Sequence, residues 1–312
     1  MSPIPANAVD SSVVPGWGRL PPEYAIPAVA PAVGEAREYC RRLALTHYEN
    51  FSVATWFLPK RLRQHFFNVY AYCRISDDLG DEVGDPSASL QLLDQWQTEL
   101  DACYAGKPKH PVFVALDETV KTFDIPKHEF VSLLTAFRQD QTTTRYATFD
   151  DVLGYCKYSA NPVGHLVLYV CGYRDEERQK LSDFTCTALQ LANFWQDISV
   201  DYAKGRIYLP LEDLRRFGVS QDDIATDRNT GPFLEMMRFE VQRAREWFRQ
   251  GLPLVEKVDR ALAIDIELFS RGGQEILNAI ERQGYAVLGQ RPAISKSRKL
   301  ALVARAALGK LI

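Results

Sequence analysis

The stretch from Phe66 to Glu82, FFNVYAYCRISDDLGDE, constrains the fold of this chain more than any other. It is aromatic and apolar almost all the way round, which suits a helix buried inside a bundle. It then ends in a dense acidic cluster of Asp77, Asp78, Asp81 and Glu82. At helical spacing Asp77 and Asp81 lie one turn apart, and Tyr70, Arg74, Asp78 and Asp81 follow at intervals of four, four and three. Like charges this close on a mostly apolar helix repel one another and resist burial. A cation relieves that conflict. Hard oxygen ligands without His or Cys point to magnesium, which keeps waters and takes phosphate oxygens as its remaining ligands. Taken alone, the cluster reads equally well as a solvated acidic helix end.

A second stretch answers the first. Ala188 to Pro210 reads ALQLANFWQDISVDYAKGRIYLP. Gln190, Asn193, Asp197 and Asp201 fall at spacings of three, four and four, which puts them on one helix face. Leu181, Phe184, Ala188, Leu191, Trp195 and Ile198 mark an adjoining packing stripe. Two inward-facing acidic helices can hold metal ions between them across a bundle. Lys204 and Arg206 follow at once and suit phosphate oxygens. The bland reading of this motif is a polar stripe on an amphipathic helix; the pair of motifs together favours a metal–diphosphate site.

Composition narrows the remaining classes. The chain has 312 residues, 46% of them hydrophobic and 25% charged, ample for one large domain or two small ones. A net charge of −3 gives no reason to expect a nucleic acid partner. The six cysteines form no CxxC pair and sit mostly in apolar segments, so they read as reduced core thiols of a cytoplasmic protein. The histidines lack metal-ligand spacing, and His165 in NPVGHLVL reads as a helix residue with a local hydrogen bond. No signal peptide and no apolar run long enough to span a bilayer is visible, so work on a lipid belongs in an internal cavity or at a membrane surface.

Residues 1–33 are rich in Pro and Ala and read as a mobile arm, followed by a single helical domain over 34–312. PGWG at 15–18 follows no strand and opens no helix, so it is no nucleotide loop. Ser87 is a plausible cap for SLQLLDQWQTELDACY. Phe149 to Gly172 reads as a long apolar helix broken at Asn161-Pro162. Leu252 to Gly284 reads as a long helix pair with Gly272-Gly273 as hinge or turn. The tail ISKSRKLALVARAALGKLI is a basic amphipathic helix, fit either to pack or to touch anionic lipid. No period-two pattern survives, and the fold class is all-α. Magnesium on two carboxylate helices, no nucleotide loop and an aromatic-rich helical core together suggest an enzyme acting on isoprenoid diphosphates.

At this point the motifs carry a resemblance. YAYCRISDDLGDE and NFWQDISVDYAKGRIYLP resemble the two aspartate-rich motifs of the squalene/phytoene synthase family, and ILNAIERQGYAVLGQR also fits. The similarity runs over roughly residues 36–300. ENFSVA, FRQDQTTTRYATF, YCKYSANPVG and ANFWQD most resemble its bacterial hydroxysqualene synthase branch, in hopanoid biosynthesis. The resemblance implies an isoprenoid-synthase-type helical bundle around a central cavity. It implies Mg2+ held by Asp77, Asp78 and Asp81 with Asn193, Asp197 and Asp201. It implies a substrate site of Asn50, Phe51, Ser52, Tyr70, Arg74, Tyr155, Gly164, Gln190, Gln196, Lys204, Arg206 and Tyr208.

One departure stands out: Gln196 occupies the place where many relatives carry Arg before the aspartate. Losing that cation should weaken a diphosphate contact, which argues against head-to-head condensation of two farnesyl diphosphates. The expected reaction is therefore conversion of presqualene diphosphate to hydroxysqualene, with quenching by water. A squalene, dehydrosqualene or phytoene synthase proper remains the alternative enzyme. A non-catalytic prenyl-diphosphate-binding or assembly protein is the alternative of another class, against which the intact aspartates argue. The resemblance also leaves open pathway enzymes before and after it as partners, and peripheral contact with the cytoplasmic membrane.

Overall fold

A computed structural model describes residues 24–47 and 58–295, together with 298, 302 and 304. Asn50, Phe51 and Ser52, most of the N-terminal arm and most of the C-terminal tail lie outside the described residues. The described residues contain no strand, only an isolated bridge between Arg145 and Ile207.

Helix α1 (Val33–His47) leads to α2 (Lys60–Asp81), which carries the first acidic motif. Next come α3 (Pro86–Tyr104), α4 (Pro111–Phe123) and α5 (Lys127–Gln139). The apolar stretch that follows forms α6 (Phe149–Ser159) and α7 (Asn161–Val170), split where Pro162 lacks a helix donor. Helix α8 (Glu176–Gln196) carries the second motif and gives way to the short α9 (Ile198–Ala203). The short helices α10 (Leu211–Phe217) and α11 (Gln221–Ala225) lead to α12 (Gly231–Gly251), a 3-10 turn (Leu252–Lys257) and α13 (Arg260–Arg282).

The boundaries follow from capping chemistry. Asp175 accepts from the Arg178 amide to open α8, and Thr148 and Asp151 form a capping box for α6. The expected Ser87 cap is displaced: Asp85 accepts from the Ala88 amide at 2.7 Å, and Pro86 enters as the first helical residue. The expected break at Gly272-Gly273 is also absent, since α13 runs straight through both. Gly273 has a packing role instead. A Cβ there would stand 2.4 Å from Phe248 Cζ and 2.8 Å from Leu189 Cδ2, so its lack of a side chain lets α13 approach α12 and α8.

Two apolar clusters fill the structure. The first is packed mainly from α1 to α5, around Tyr72, Trp96, Phe113 and Phe130. The second gathers α6, α8 and α12 with Ile207–Leu209, around Trp195, Phe233 and Phe248. Of the expected stripe on α8, Ala188, Leu191, Trp195 and Ile198 are buried, while Leu181 and Phe184 are half-buried. His165 ties α5, α7 and α8 together: Nδ1 faces both Glu129 carboxylate oxygens at 3.0 Å, and Nε2 faces Asp183 Oδ1 at 2.8 Å. In the tail, Arg298 pairs with Glu275 of α13 at 2.8 Å.

Candidate active site

A cavity of about 280 Å³ separates α2 from α8. Phe66, Val69, Tyr70 and Cys73 line it from α2, and Ser182, Thr185, Cys186 and Leu189 from α8. Val163, Gly164 and Val167 of α7 and Leu262, Asp265 and Phe269 of α13 complete the walls. Gly164 is required by close approach, because a Cβ there would lie 2.2 Å from Ser182 Oγ and 2.6 Å from Cys186 Sγ. The lining is overwhelmingly apolar, as a hydrocarbon chain requires. On both helices the acidic motif begins one to two turns past the last lining residue, so the carboxylates stand at one end of the cavity.

Each motif aspartate can be placed. Asp78 is 2% exposed and is held on both oxygens by the Arg74 guanidinium; its Oδ2 also accepts from the Tyr24 hydroxyl at 2.6 Å. Arg74 reaches Asp77 at 3.7 Å. Asp81 accepts from Arg206 at 2.8 Å and Lys204 at 3.3 Å, so the loop after α9 bridges back to α2. That bridge has a local cause. Gly205 adopts φ 82, and the reversed chain brings the Arg206 amide to Asp201 O at 2.8 Å.

The second motif departs from the single face its spacing implied. Helix α8 stops at Gln196, because Asp197 leaves helical geometry at φ −108, ψ 16. Asp201 restarts on α9, its amide bonded to Asp197 O at 2.8 Å. Asn193 is exposed on the last turn of α8, and Gln190 is half-buried one turn earlier.

Electrostatics brings the two motifs into one site. Asp77 is pushed up to about 7, first by lost hydration in the seam and next by Asp81, even though half of its side chain stays open to solvent. Asp201 is likewise raised to about 7, first by burial and then by Asp197, and Asp81 of the facing helix adds to the repulsion. Crowded hard-oxygen carboxylates of this kind fit a divalent cation such as magnesium in donor type and in charge. Among the described residues no three of them converge at ligand distance, and Arg74, Lys204, Arg206 and Arg291 balance the charge instead.

Three contributors escaped the sequence reading. Arg291 clamps both oxygens of Asp197 and donates to Gln196 Oε1 at 3.2 Å, while Gln196 Nε2 donates to Pro292 O at 2.6 Å. A guanidinium therefore stands beside Asp197 although position 196 itself carries none. Asp140 is the second. It accepts from the Tyr155 hydroxyl at 2.8 Å and the Tyr208 hydroxyl at 3.2 Å, and burial raises it to about 6 although Arg206 opposes the rise. Tyr155 and Tyr208 accordingly lie in the second core rather than along the cavity; Tyr208 stacks on Phe194 at 3.9 Å. Tyr24 is the third.

The family model for squalene/phytoene synthase matches residues 44–298. The chain belongs to the squalene/phytoene synthase family. Within that family it is 47% identical to the crystal structure of squalene synthase HpnC from Alicyclobacillus acidocaldarius, with a TM-score of 0.78 over 81% of this chain and 95% of that one. A dehydrosqualene synthase solved in complex with a ligand matches at 26% identity and a TM-score of 0.81, over 88% of this chain and 96% of that one. The phytoene synthase of Arthrospira platensis is 32% identical over 291 residues, 85% of this chain and 90% of that protein. The all-α isoprenoid-synthase fold expected from the motifs is thus the fold of this squalene/phytoene synthase family member. No described helix is long and apolar enough to cross a membrane.

Proposed function

We propose that the chain converts presqualene diphosphate to hydroxysqualene in a magnesium-dependent reaction. The observation that carries this reading is the placement of two acidic motifs and four basic side chains at one end of an apolar cavity. Asp77 and Asp81 from α2, with Asn193, Asp197 and Asp201 around the end of α8, are the residues to hold Mg2+; Asp78, expected among them, has its two oxygens taken up by Arg74 and Tyr24 instead. Bound there, magnesium neutralises the diphosphate and makes it a better leaving group. Arg74, Lys204, Arg206 and Arg291, which pair with the motif carboxylates, would give charge-assisted hydrogen bonds to diphosphate oxygens. The carbon–oxygen bond breaks with its electron pair on the diphosphate, and the cyclopropylcarbinyl cation rearranges between apolar walls that exclude most water. Tyr70, on the lining about two turns before Asp77, offers an aromatic ring to a passing positive charge. One water then bonds to the cation and loses a proton to solvent, which leaves an alcohol.

The 47% identity to the squalene synthase HpnC favours a squalene-type reaction over phytoene formation; the hydroxysqualene branch itself is carried by the stretches ENFSVA, FRQDQTTTRYATF, YCKYSANPVG and ANFWQD. A second reading, head-to-head condensation of two prenyl diphosphates, has its own support in Arg291, which restores the guanidinium beside Asp197. Supplying magnesium with presqualene diphosphate or farnesyl diphosphate separately, and following diphosphate release, distinguishes the two. The proposal expects turnover of the first and little from the second. Efficient use of farnesyl diphosphate alone promotes the second reading. Binding of both without product points to a non-catalytic role.

A further inference from the structure

We propose that Tyr24, from the segment ahead of α1, is a positioning residue of the diphosphate site: its hydroxyl fixes Asp78, and Asp78 fixes the Arg74 guanidinium. The inference rests on the reading above, in which Arg74 meets the substrate diphosphate.

Asp78 is the most buried of the motif acids, at 2% exposure. A carboxylate so placed persists only when its oxygens are satisfied by donors. Arg74 supplies two, from Nε at 3.1 Å to Oδ2 and from its terminal nitrogen to Oδ1. The Tyr24 hydroxyl supplies the third, 2.6 Å from Oδ2 and 54 residues away in sequence. Oδ2 thus receives Arg74 and Tyr24 together. This bond pins one edge of the carboxylate, and the carboxylate pins the fork of the guanidinium, whose planar geometry makes orientation matter. The Tyr24 ring packs against the first apolar cluster, so the hydroxyl is delivered from a supported position. Asp78 is therefore committed to orienting Arg74, while Asp77, one residue earlier on α2 and half exposed, stays open to the seam. Tyr24 is not among the described residues that line the cavity, and it acts through Asp78 and Arg74.

The test uses the full chain and two substitutions, Tyr24→Phe and Arg74→Gln, singly and combined. Tyr24→Phe keeps the ring and removes one hydrogen bond to a charged acceptor. The expected loss is on the order of tenfold in affinity for inorganic diphosphate with magnesium, measured by calorimetry. The KM for presqualene diphosphate should rise in parallel while the melting temperature stays near that of the wild type. In the Arg74→Gln background the same substitution should cost little further, because the two residues act in one chain of contacts. A merely structural tyrosine would lower the melting temperature and cost the same in both backgrounds. Unchanged diphosphate affinity in Tyr24→Phe, or an equal loss with and without Arg74, overturns the proposal while leaving the functional reading intact. A wild type that binds no diphosphate in the presence of magnesium overturns both.

Discussion

The His165 clamp makes a quantitative prediction about stability. Burial alone would lower the pKa of this imidazole, but its bonds to Asp183 and Glu129 outweigh burial and raise it from 6.5 to about 9. A group raised in the folded state contributes its full stabilisation below the unfolded pKa and loses it as pH climbs through the folded one. The shift corresponds to about 3 kcal/mol, and partial exposure of the ring trims this to about 2–3 kcal/mol. His165→Gln keeps a polar side chain of similar reach but cannot carry the charge between Glu129 and Asp183. Urea unfolding of both proteins at pH 6, 7, 8.5 and 10 cancels the other titrating groups in the difference. The wild type should lead the variant most at pH 6, and that lead should shrink by about 2–3 kcal/mol by pH 10. Parallel pH profiles for the two proteins would refute the charged clamp.

Other consequences follow from the same contacts. Gly273→Ala places a methyl against Phe248 and should cost about 1–3 kcal/mol, whereas Gly272→Ala, with open space around it, should be neutral or slightly stabilising in the same melting assay. A hinge at the glycine pair would instead make both substitutions alter activity together. Asp197→Asn removes ligand charge without changing size, so turnover should fall by at least about a hundredfold with circular dichroism unchanged; near-wild-type rates at limiting magnesium would contradict the assignment. Gln196→Arg crowds a second guanidinium beside Arg291 in a buried position, and should lower the melting temperature unless Arg291→Gln accompanies it.

What could be read from the sequence was local chemistry. The α6–α7 break follows from the missing donor of Pro162. The two acidic motifs were legible because charge on an apolar helix demands an explanation within a few residues. Gly272 and Gly273 were misread because a glycine pair looks the same whether it bends a helix or admits a neighbour; only Phe248 and Leu189 decide between these. The polar face from Gln190 to Asp201 was drawn one turn too long, since nothing in DISVD marks the non-helical Asp197. Arg291, Asp140 and Tyr24 were invisible for a common reason. Each reaches its partner through tertiary packing, Arg291 across 94 residues to Asp197 and Tyr24 across 54 to Asp78, and no spacing rule connects such positions.

The central claim is that water ends the reaction. It is tested most directly by supplying the protein, magnesium and presqualene diphosphate in oxygen-18 water and weighing the product. The account predicts an alcohol carrying one heavy oxygen, because the diphosphate leaves with its own oxygen and the cation takes a new one from solvent. A hydrocarbon product, or an alcohol without the heavy isotope, contradicts it.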